Sequence, residues 1–210
     1  MLDNKGFDLW SEGYDESVQI ADDDGLYPFA GYKDVMNTIF NEIMQKKPCT
    51  VLDIGIGTGV LAKRLYDFGN SITGVDFSQK MLEIAQENMP NATMIYHDIT
   101  FGMPDELKGQ KFDFIVMTYS IHHLSDAAKL LLFHDLAKLL NPAGKIIVGD
   151  VAFETEEAQD ECIKACGDEW DDDEYYIVMS EIGEHLEDFD YSYRQISHCA
   201  GILSLTPLTP

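Results

Sequence analysis

The chain has 210 residues, of which 45% are hydrophobic, so one domain with a sizeable core is expected and disorder is not. Its 38 acidic and 14 basic residues give a formal net charge of −24 at pH 7. Nucleic acid and anionic membranes attract basic patches, and adjacent basic residues occur only at Lys46-Lys47 and Lys63-Arg64, so neither is expected as a partner.

The N-terminal residues 1–31 are rich in aromatic and acidic residues and differ from the rest of the chain. Residues 1–5 are polar and lead into no long apolar run, so neither a signal peptide nor a membrane span is expected. The cysteines lack the spacing of a zinc site, which favours reduced thiols in a cytoplasmic protein. They are Cys49, Cys162, Cys166 and Cys199.

Predicted strands and helices alternate from residue 50 onward, a pattern typical of a parallel sheet in an α/β fold. The strands are predicted over residues 50–56, 71–77, 92–98, 112–119 and 144–151. The helices between them are predicted over about residues 59–69, 78–89 and 125–141. An acidic helical region is predicted over about residues 155–187, with an interruption around residues 167–173. Two further strands are predicted over about residues 191–198 and 200–206.

Residues 51–59, with the sequence V-L-D-I-G-I-G-T-G, are the most informative part of the chain. They read as a buried strand, a glycine-rich turn and the start of a helix. Because glycine has no side chain, such a turn lets a ligand approach the backbone at the carboxyl end of the strand. The spacing Gly55-x-Gly57-x-Gly59 is not the dinucleotide pattern, and no Walker A lysine follows. An NAD-dependent oxidoreductase is therefore a minor alternative.

Acidic residues end the next two predicted strands. Asp76 ends the second strand and Asp98 ends the third. An acid after the second strand can accept hydrogen bonds from both hydroxyl groups of a ribose. Glycines therefore follow the first predicted strand, and an acid ends each of the next two. This combination is far more specific than any one of the three features.

This combination resembles motif I and the following strand ends of the class I S-adenosylmethionine (SAM)-dependent methyltransferases. The turn L-N-P-x-G-K-I at residues 140–146 is also similar to that family. The resemblance extends from about residue 32 to the end of the chain. It implies a Rossmann-like α/β fold, in which a seven-stranded sheet has helices on both faces and a C-terminal antiparallel hairpin. It also implies SAM as the cofactor and S-adenosylhomocysteine (SAH) as the product.

The resemblance implies a role for each part of the cofactor site. The glycine turn would admit the methionine part of SAM, whose ammonium group Asp53 would hold through water or the backbone. Asp76 would accept the ribose hydroxyls, and Asp98 would accept a hydrogen bond from the adenine amino group. The adenine itself would lie between Phe77 and Ile99. The residues expected to bind the cofactor are Tyr14, Asp53, Gly55, Gly57, Thr58, Gly59, Asp76, Phe77, Ser78, Met81, Asp98, Ile99 and Thr118.

The motif W-x-x-x-Y-D at residues 10–15 resembles a segment that precedes many small-molecule methyltransferase domains and folds over the cofactor. We therefore predict an N-terminal lid segment over residues 1–31, in which Tyr14 contacts SAM, and a methyltransferase domain over residues 32–210. Within that domain, residues 155–187 are expected to form a helical cap insertion over the acceptor. The aromatic residues expected around the acceptor are Tyr27, Tyr32, Trp170, Tyr175 and Tyr176.

The loop T-Y-S-I-H-H-L at residues 118–124 follows the fourth predicted strand, and in the family this loop lies between cofactor and acceptor. His122 and His123 are the candidate catalytic residues, because an imidazole titrates near neutral pH and can remove a proton from the acceptor. Alternatively, these histidines only line the site, or one of them caps the following helix and the other packs under the loop.

The predicted function is transfer of a methyl group from SAM to a small-molecule acceptor at an O, N, S or C nucleophile. Motifs of amino-methylating and cytosine C5 DNA methyltransferases are absent, and the acidic composition agrees with a small acceptor. The chain most resembles the YrrT-like bacterial branch, from which it departs at Asp53 and Asp76, where Glu is expected. The alternative is a non-catalytic SAM-binding sensor or partner subunit, which a degraded motif I would favour.

Overall fold

The computed structural model describes Val18 and residues 21–208 of the chain. Over these residues the strands are β1 (Thr50–Ile54), β2 (Ser71–Asp76), β3 (Thr93–Tyr96), β4 (Phe112–Thr118), β5 (Leu140–Phe153), β6 (Ile177–Val178), β7 (Phe189–Gln195) and β8 (Ala200–Pro207). The α-helices are α1 (Tyr32–Ile43), α2 (Val60–Asp67), α3 (Gln79–Asn88), α4 (Asp126–Ala137), α5 (Glu156–Cys166) and α6 (Met179–Ile182). None of the described helices has the length and apolar character needed to cross a membrane.

These strands form one sheet. Its main path runs in the order β3-β2-β1-β4-β5-β8-β7, and β6 pairs with β5 beside this path. The neighbouring strands from β3 to β5 are parallel, whereas β8 is antiparallel to both β5 and β7. The predicted Rossmann-like sheet with a C-terminal antiparallel hairpin is confirmed, and β6 adds a short strand to the seven that were expected.

Hydrophobic cores lie on both faces of the sheet, because successive residues of a strand point to opposite sides. In β1, Val51 faces one core and Leu52 faces the other. The helices α1, α2, α3 and α5 cover the first core, and α4 and α6 cover the second. The prediction of helices on both faces is therefore confirmed.

The strand β1 lies in the middle of the parallel part of the sheet. Val51 is paired with Ile72 of β2 on one side and with Phe114 of β4 on the other. Residues 51–54 are all buried, as expected for a parallel strand that is covered on both faces. The turn that follows Ile54 therefore lies at the centre of the carboxyl edge of the sheet, between the ends of β2 and β4.

The boundary between α4 and β5 differs from the prediction. The helix ends at Ala137, and β5 already begins at Leu140, because Leu140 pairs with Phe112 of β4. Within β5 the register against β4 shifts between Leu140 and Lys145, and Ala143 takes a left-handed conformation there, with a φ of 60°. The pairing of β5 with β4 thus ends α4 before the predicted boundary at residue 141. Local sequence patterns do not show such pairing.

The region 155–187 is helical only in part. Between α5 and α6, Ile177 and Val178 form β6 by pairing with Ala152 and Phe153 of β5. Both residues of β6 are buried and β-branched, which favours an extended strand over a helix. The division of the chain into a lid, a domain and a cap insertion stays a prediction.

The helix α1 packs closely against β5 at Gly149. A Cβ atom at this position would lie 2.5 Å from Val35 Cγ1 and 2.8 Å from Ile39 Cδ1. Atoms do not approach this closely, so a larger residue would push the helix away from the sheet. Because α1 begins at Tyr32, which lines the pocket described below, the absence of a side chain at Gly149 helps to position that wall.

We expect Gly149→Ala to lower the free energy of unfolding by about 1–3 kcal/mol, because the added methyl group overpacks the contact with α1. Urea denaturation followed by circular dichroism measures this loss. Val35→Ala removes the nearer contact, so the double variant should lose less stability than the sum of the two single variants. Strictly additive losses would contradict the close fit at Gly149.

Candidate functional site

The segments that follow β1, β2, β3 and β4 surround a pocket at the carboxyl edge of the sheet. In a parallel α/β sheet this is the edge at which ligands bind. Together with the open solvent at its mouth, the pocket spans about 1100 Å³, and residues that follow all four strands line it. Tyr32 and Met36 of α1 also contribute to its wall.

Most of the residues predicted to bind a cofactor line this pocket. They are Asp53, Gly55, Gly57, Thr58, Asp76, Phe77, Met81, Asp98, Ile99 and Thr118. Gly59 lies just before α2 and is not part of the lining. Ser78 is also outside the lining and caps α3, where its hydroxyl accepts a hydrogen bond from Met81 N–H at 3.2 Å. Tyr14 lies outside the described residues.

Gly55 permits a close contact between the turn after β1 and the loop after β4. Its φ is 72°, and a Cβ atom there would lie 2.4 Å from Ser120 Cβ. Ser120 Oγ in turn donates a hydrogen bond to the carbonyl oxygen of Ile54 at 3.1 Å. Any side chain at Gly55 would separate these two loops, so the first glycine of the motif is required by packing.

Asp76 joins the turn after β1 to the turn after β2. Its Oδ2 accepts a hydrogen bond from Gly57 N–H at 2.8 Å, and its Oδ1 accepts one from Ser78 N–H at 2.8 Å. Gly57 has a φ of 55°, and none of the atoms described lies within 4 Å of the position that its Cβ would take. Space is therefore left beside the Gly57 backbone, where a ligand could approach.

Asp53 is a buried acid in the pocket wall. The residue is 2% exposed, and its Oδ1 has no hydrogen-bond partner among the described residues. Burial raises the pKa of its carboxyl group to about 8, and the neighbouring charge of Asp76 adds to the increase. A buried acceptor of this kind is suited to a donor or a cation of a ligand.

Asp98 caps the short 3₁₀ turn Ile99–Phe101 after β3. Its Oδ1 accepts hydrogen bonds from Thr100 N–H at 2.9 Å and from the Thr100 hydroxyl at 2.6 Å. This double contact orients the carboxylate at the pocket wall, next to Ile99. The other carboxylate oxygen, Oδ2, is the one that a ligand would use.

His122 is held by Asp150 and does not line the pocket. Its Nδ1 lies 2.6 Å from Asp150 Oδ1. Asp150 also accepts backbone hydrogen bonds from Ser120, Ile121 and Val151, at 3.1, 3.0 and 2.7 Å. Burial alone would raise the pKa of Asp150, but His122 and these N–H groups outweigh it and lower that pKa. Burial alone would lower the pKa of His122, but Asp150 raises it.

His123 lines the pocket and pairs with Glu174. Its Nδ1 lies 2.9 Å from Glu174 Oε2 and 3.1 Å from Oε1. The adjacent N–H of Tyr175 donates a hydrogen bond to the carbonyl oxygen of His122 at 2.8 Å. Part of the region 155–187 is thereby attached to the loop that carries both histidines.

Tyr119 has an unusual conformation in the pocket wall. Its φ is 49°, in the left-handed region that residues other than glycine seldom adopt. The ring lies against Phe29 and Tyr32, with centroids 5.4 and 5.1 Å away. Its hydroxyl is buried without a hydrogen-bond partner among the described residues. Strained residues with unpaired groups often occur at functional sites, so Tyr119 joins the candidate ligand contacts.

The aromatic residues expected around the acceptor do not all reach the pocket. Tyr32 lines it, but the other four do not. The rings of Tyr27 and Trp170 are stacked with centroids 5.1 Å apart, and Tyr176 packs edge-on against both. Tyr175 is exposed. Three of these residues thus form a separate cluster that joins the N-terminal part of the described chain to the region 155–187.

The sequence analysis missed Tyr119, Asp150 and Glu174 as residues of the site. Asp150 follows the same rule as Asp76, since both are acids near the end of a predicted strand, and Tyr119 directly follows the strand before the histidines. Glu174 carries no comparable signal, because it stands in a run of acidic residues that resembles an exposed loop.

The comparisons with known proteins agree with the geometry of the site. A family model described as a methyltransferase domain matches residues 51–144. A protein of Oceanobacillus iheyensis described as an uncharacterized methyltransferase is 30% identical over 96% of this chain and 96% of its own length.

Solved structures of similar fold also include methyltransferases. The complex of DhpI with SAH has a TM-score of 0.68 at 16% identity, covering 97% of this chain and 94% of that one. The magnesium protoporphyrin IX methyltransferase of Synechocystis, with bound SAM, has a TM-score of 0.67 at 19% identity, covering 99% of both chains.

The raised pKa of Asp53 makes the stability of the protein depend on pH. The folded protein keeps the proton up to about pH 8, whereas the unfolded chain loses it near the ordinary value of 3.8, so stability falls between these values as pH rises. We expect Asp53→Asn to remove this contribution. Relative to the wild type, the variant should gain about 2–4 kcal/mol in unfolding free energy from pH 5 to pH 8. Urea denaturation at several pH values measures the difference, and parallel pH profiles would contradict the raised pKa.

Proposed function

We propose, on the premise that the chain belongs to the class I SAM-dependent methyltransferases, that it transfers a methyl group to a small-molecule acceptor. SAM is the methyl donor of this family, and SAH is the product. When bound, SAM supplies a methyl group that is activated by a positively charged sulfur. The protein must hold SAM, orient the acceptor and exclude water.

The unpaired Oδ1 of Asp53 is the observation that carries this proposal. The methionine part of SAM ends in an ammonium group, which is both a cation and a hydrogen-bond donor. Asp53 offers a buried acceptor to such a group, and the open space beside Gly57 allows the ligand to approach the backbone. The residues of the pocket therefore fit the methionine end of SAM.

The remaining roles follow the order of the strand ends. Asp76 would accept the ribose hydroxyls while it keeps its bonds to Gly57 and Ser78. Phe77 and Ile99 would lie on either side of the adenine, and Asp98 would use Oδ2 for the amino group. The cofactor contacts would be completed by Thr58, Met81 and Thr118, which also line the pocket. The turns before α2 and α3 would be shaped by Gly59 and Ser78. Tyr14 and the lid over residues 1–31 stay predictions.

A small acceptor is supported by the charge of the chain and by the acceptor of one protein of similar fold. A net charge of −24 disfavours nucleic acid, because phosphate groups would be repelled. One protein of similar fold is named for a porphyrin acceptor, which is a small molecule. The cap insertion over residues 155–187 is proposed to limit the acceptor side, since Glu174 and Tyr175 contact the histidine loop.

His122 and His123 are proposed to activate the nucleophile of the acceptor. Support comes from the position of His123 in the pocket lining and from the carboxylates that orient both rings. His122 lies behind this wall, so its action would be less direct than that of His123.

We expect the wild type to bind SAH with one-to-one stoichiometry, and Asp76→Ala to bind at least about tenfold more weakly, because the ribose contact is lost. Isothermal titration calorimetry measures both affinities. Asp98→Ala should also weaken binding, and it leaves the glycine turn intact. Asp105→Ala is the matched control, since this acid is exposed on the next 3₁₀ turn and does not line the pocket. Normal SAH affinity in Asp76→Ala would overturn the assignment of that residue.

SAH binding at pH 7 should release about 0.5–1 proton, because Asp53 is mostly protonated in the free protein and would ionise beside the ammonium group. Calorimetry in phosphate and in Tris at the same pH gives the number of protons from the difference in heat. Asp53→Asn should release none. An equal release from wild type and variant would show that Asp53 does not meet the ammonium group.

A further inference from the structure

A second group of potential ligand-binding side chains lies around His123, apart from the glycine turn and its acids. One nitrogen from each of His122 and His123 and one carboxylate oxygen of Glu174 all lie within 4.8 Å of one another. We propose that His122, His123 and Glu174 bind a divalent transition-metal ion, and that this ion coordinates the methyl acceptor. The second part of the proposal rests on the proposed function.

His122 is oriented in the way that a metal-binding histidine requires. Its Nδ1 is engaged by Asp150 Oδ1 at 2.6 Å, so Nε2 is the nitrogen left for an ion. A carboxylate on the second ring nitrogen is the usual partner of a metal-binding histidine, because it fixes the tautomer and the ring. Asp150 is itself held by three backbone N–H groups and is 1% exposed, so this support is rigid.

His123 and Glu174 lie at the spacing of two neighbouring ligands. The distances of 2.9 and 3.1 Å between His123 Nδ1 and the two oxygens of Glu174 suit one ion with bonds of about 2.0–2.2 Å. Coordination would replace the hydrogen bond between these side chains. Their exposed fractions of 22% and 10% leave a path for an ion from the solvent.

The charges around the two histidines favour a divalent cation. Asp150 lies against His122 and Glu174 against His123, and the two rings have centroids 4.3 Å apart, so two carboxylates meet at one pair of imidazoles. A divalent cation bound here would balance these two negative charges. The buried ammonium group of Lys129 does not fill that need, because it donates to Asp126 at 2.8 Å and to the carbonyl oxygen of Tyr175 at 2.5 Å.

Two histidines and one carboxylate are a ligand set of Zn²⁺, Fe²⁺, Mn²⁺ and Co²⁺. Three protein ligands leave at least one position for another molecule. Because His123 lines the pocket, the ion would lie at the pocket wall, where an acceptor oxygen or sulfur could bind to it. Coordination lowers the pKa of a hydroxyl or thiol, so the proton leaves to solvent and the electron pair stays on the metal-bound atom. The acceptors favoured are therefore alcohols, phenols, enols or thiols.

The test is titration of the full-length, chelator-treated protein with Co²⁺, whose visible absorption reports the ligands, and with Zn²⁺ by calorimetry. We expect one ion per chain with a dissociation constant of about 10 µM or tighter. His123→Ala and Glu174→Gln should weaken binding at least about tenfold and change the Co²⁺ spectrum. The Glu174→Gln variant keeps the shape of the side chain, so it tests the site even if a histidine variant does not fold.

His134→Ala and Glu169→Gln are the matched controls, because both residues lie outside the cluster and are partly or fully exposed. Both should bind Co²⁺ like the wild type. Unchanged binding in His123→Ala and Glu174→Gln would overturn the proposal, since the ion would then bind elsewhere on the acidic surface. Failure of the wild type to bind either ion would also overturn it.

SAH titration of the same samples separates this inference from the proposed function. Protein that binds SAH but neither ion overturns the metal site and leaves the proposed function standing. Protein that binds Co²⁺ through these residues but does not bind SAH overturns the proposed function and leaves the metal site standing.

Discussion

The contact between the glycine turn after β1 and the loop after β4 is the constraint on which the pocket depends. Gly55 lies so close to Ser120 that a Cβ atom has no room, and Ser120 is bonded to the carbonyl of Ile54. On the other side, Asp76 ties the same turn to the end of β2 through Gly57. Three strand ends are thereby held at fixed positions around one space. The central place of β1 in the parallel sheet makes this possible, because its two neighbours end at the same edge.

The same arrangement leaves buried polar atoms without a hydrogen-bond partner among the residues that the structure describes. Asp53 is buried beside Asp76, which raises its pKa to about 8, and its Oδ1 has no partner among the described residues. Tyr119 combines a left-handed backbone with a buried hydroxyl that has no hydrogen-bond partner in the described part of the chain. Both features lower the stability of the free protein, and both line the pocket. Proteins generally depart from good packing and pairing at functional sites, where a ligand completes what is missing.

The region 155–187 contributes to the site through few residues. Glu174 pairs with His123, and Tyr175 bonds to the backbone of His122, so the region is attached to the loop after β4. Its aromatic residues Trp170 and Tyr176 pack with Tyr27 into a cluster outside the pocket lining. The region thus links three parts of the chain: the N-terminal segment, the histidine loop and β5, to which β6 is paired. The acidic character that made this region resemble an exposed loop also supplies the carboxylate at the histidines.

The sequence by itself determined the fold and brought the glycine turn and the strand-end acids to one edge of the sheet. Strand and helix patterns and glycine spacing are local, because they arise from backbone geometry and from residues a few positions apart. Parallel pairing then places the ends of successive strands at one edge, so Gly57, Asp76 and Asp98 could be assigned to one site before the structure was known. Only the tertiary structure decided which histidine lines the pocket, where α4 ends, that Ile177 and Val178 form a strand, and that Glu174 meets His123. These features depend on contacts between distant residues, whose formation is governed by loop paths and packing that no local pattern encodes.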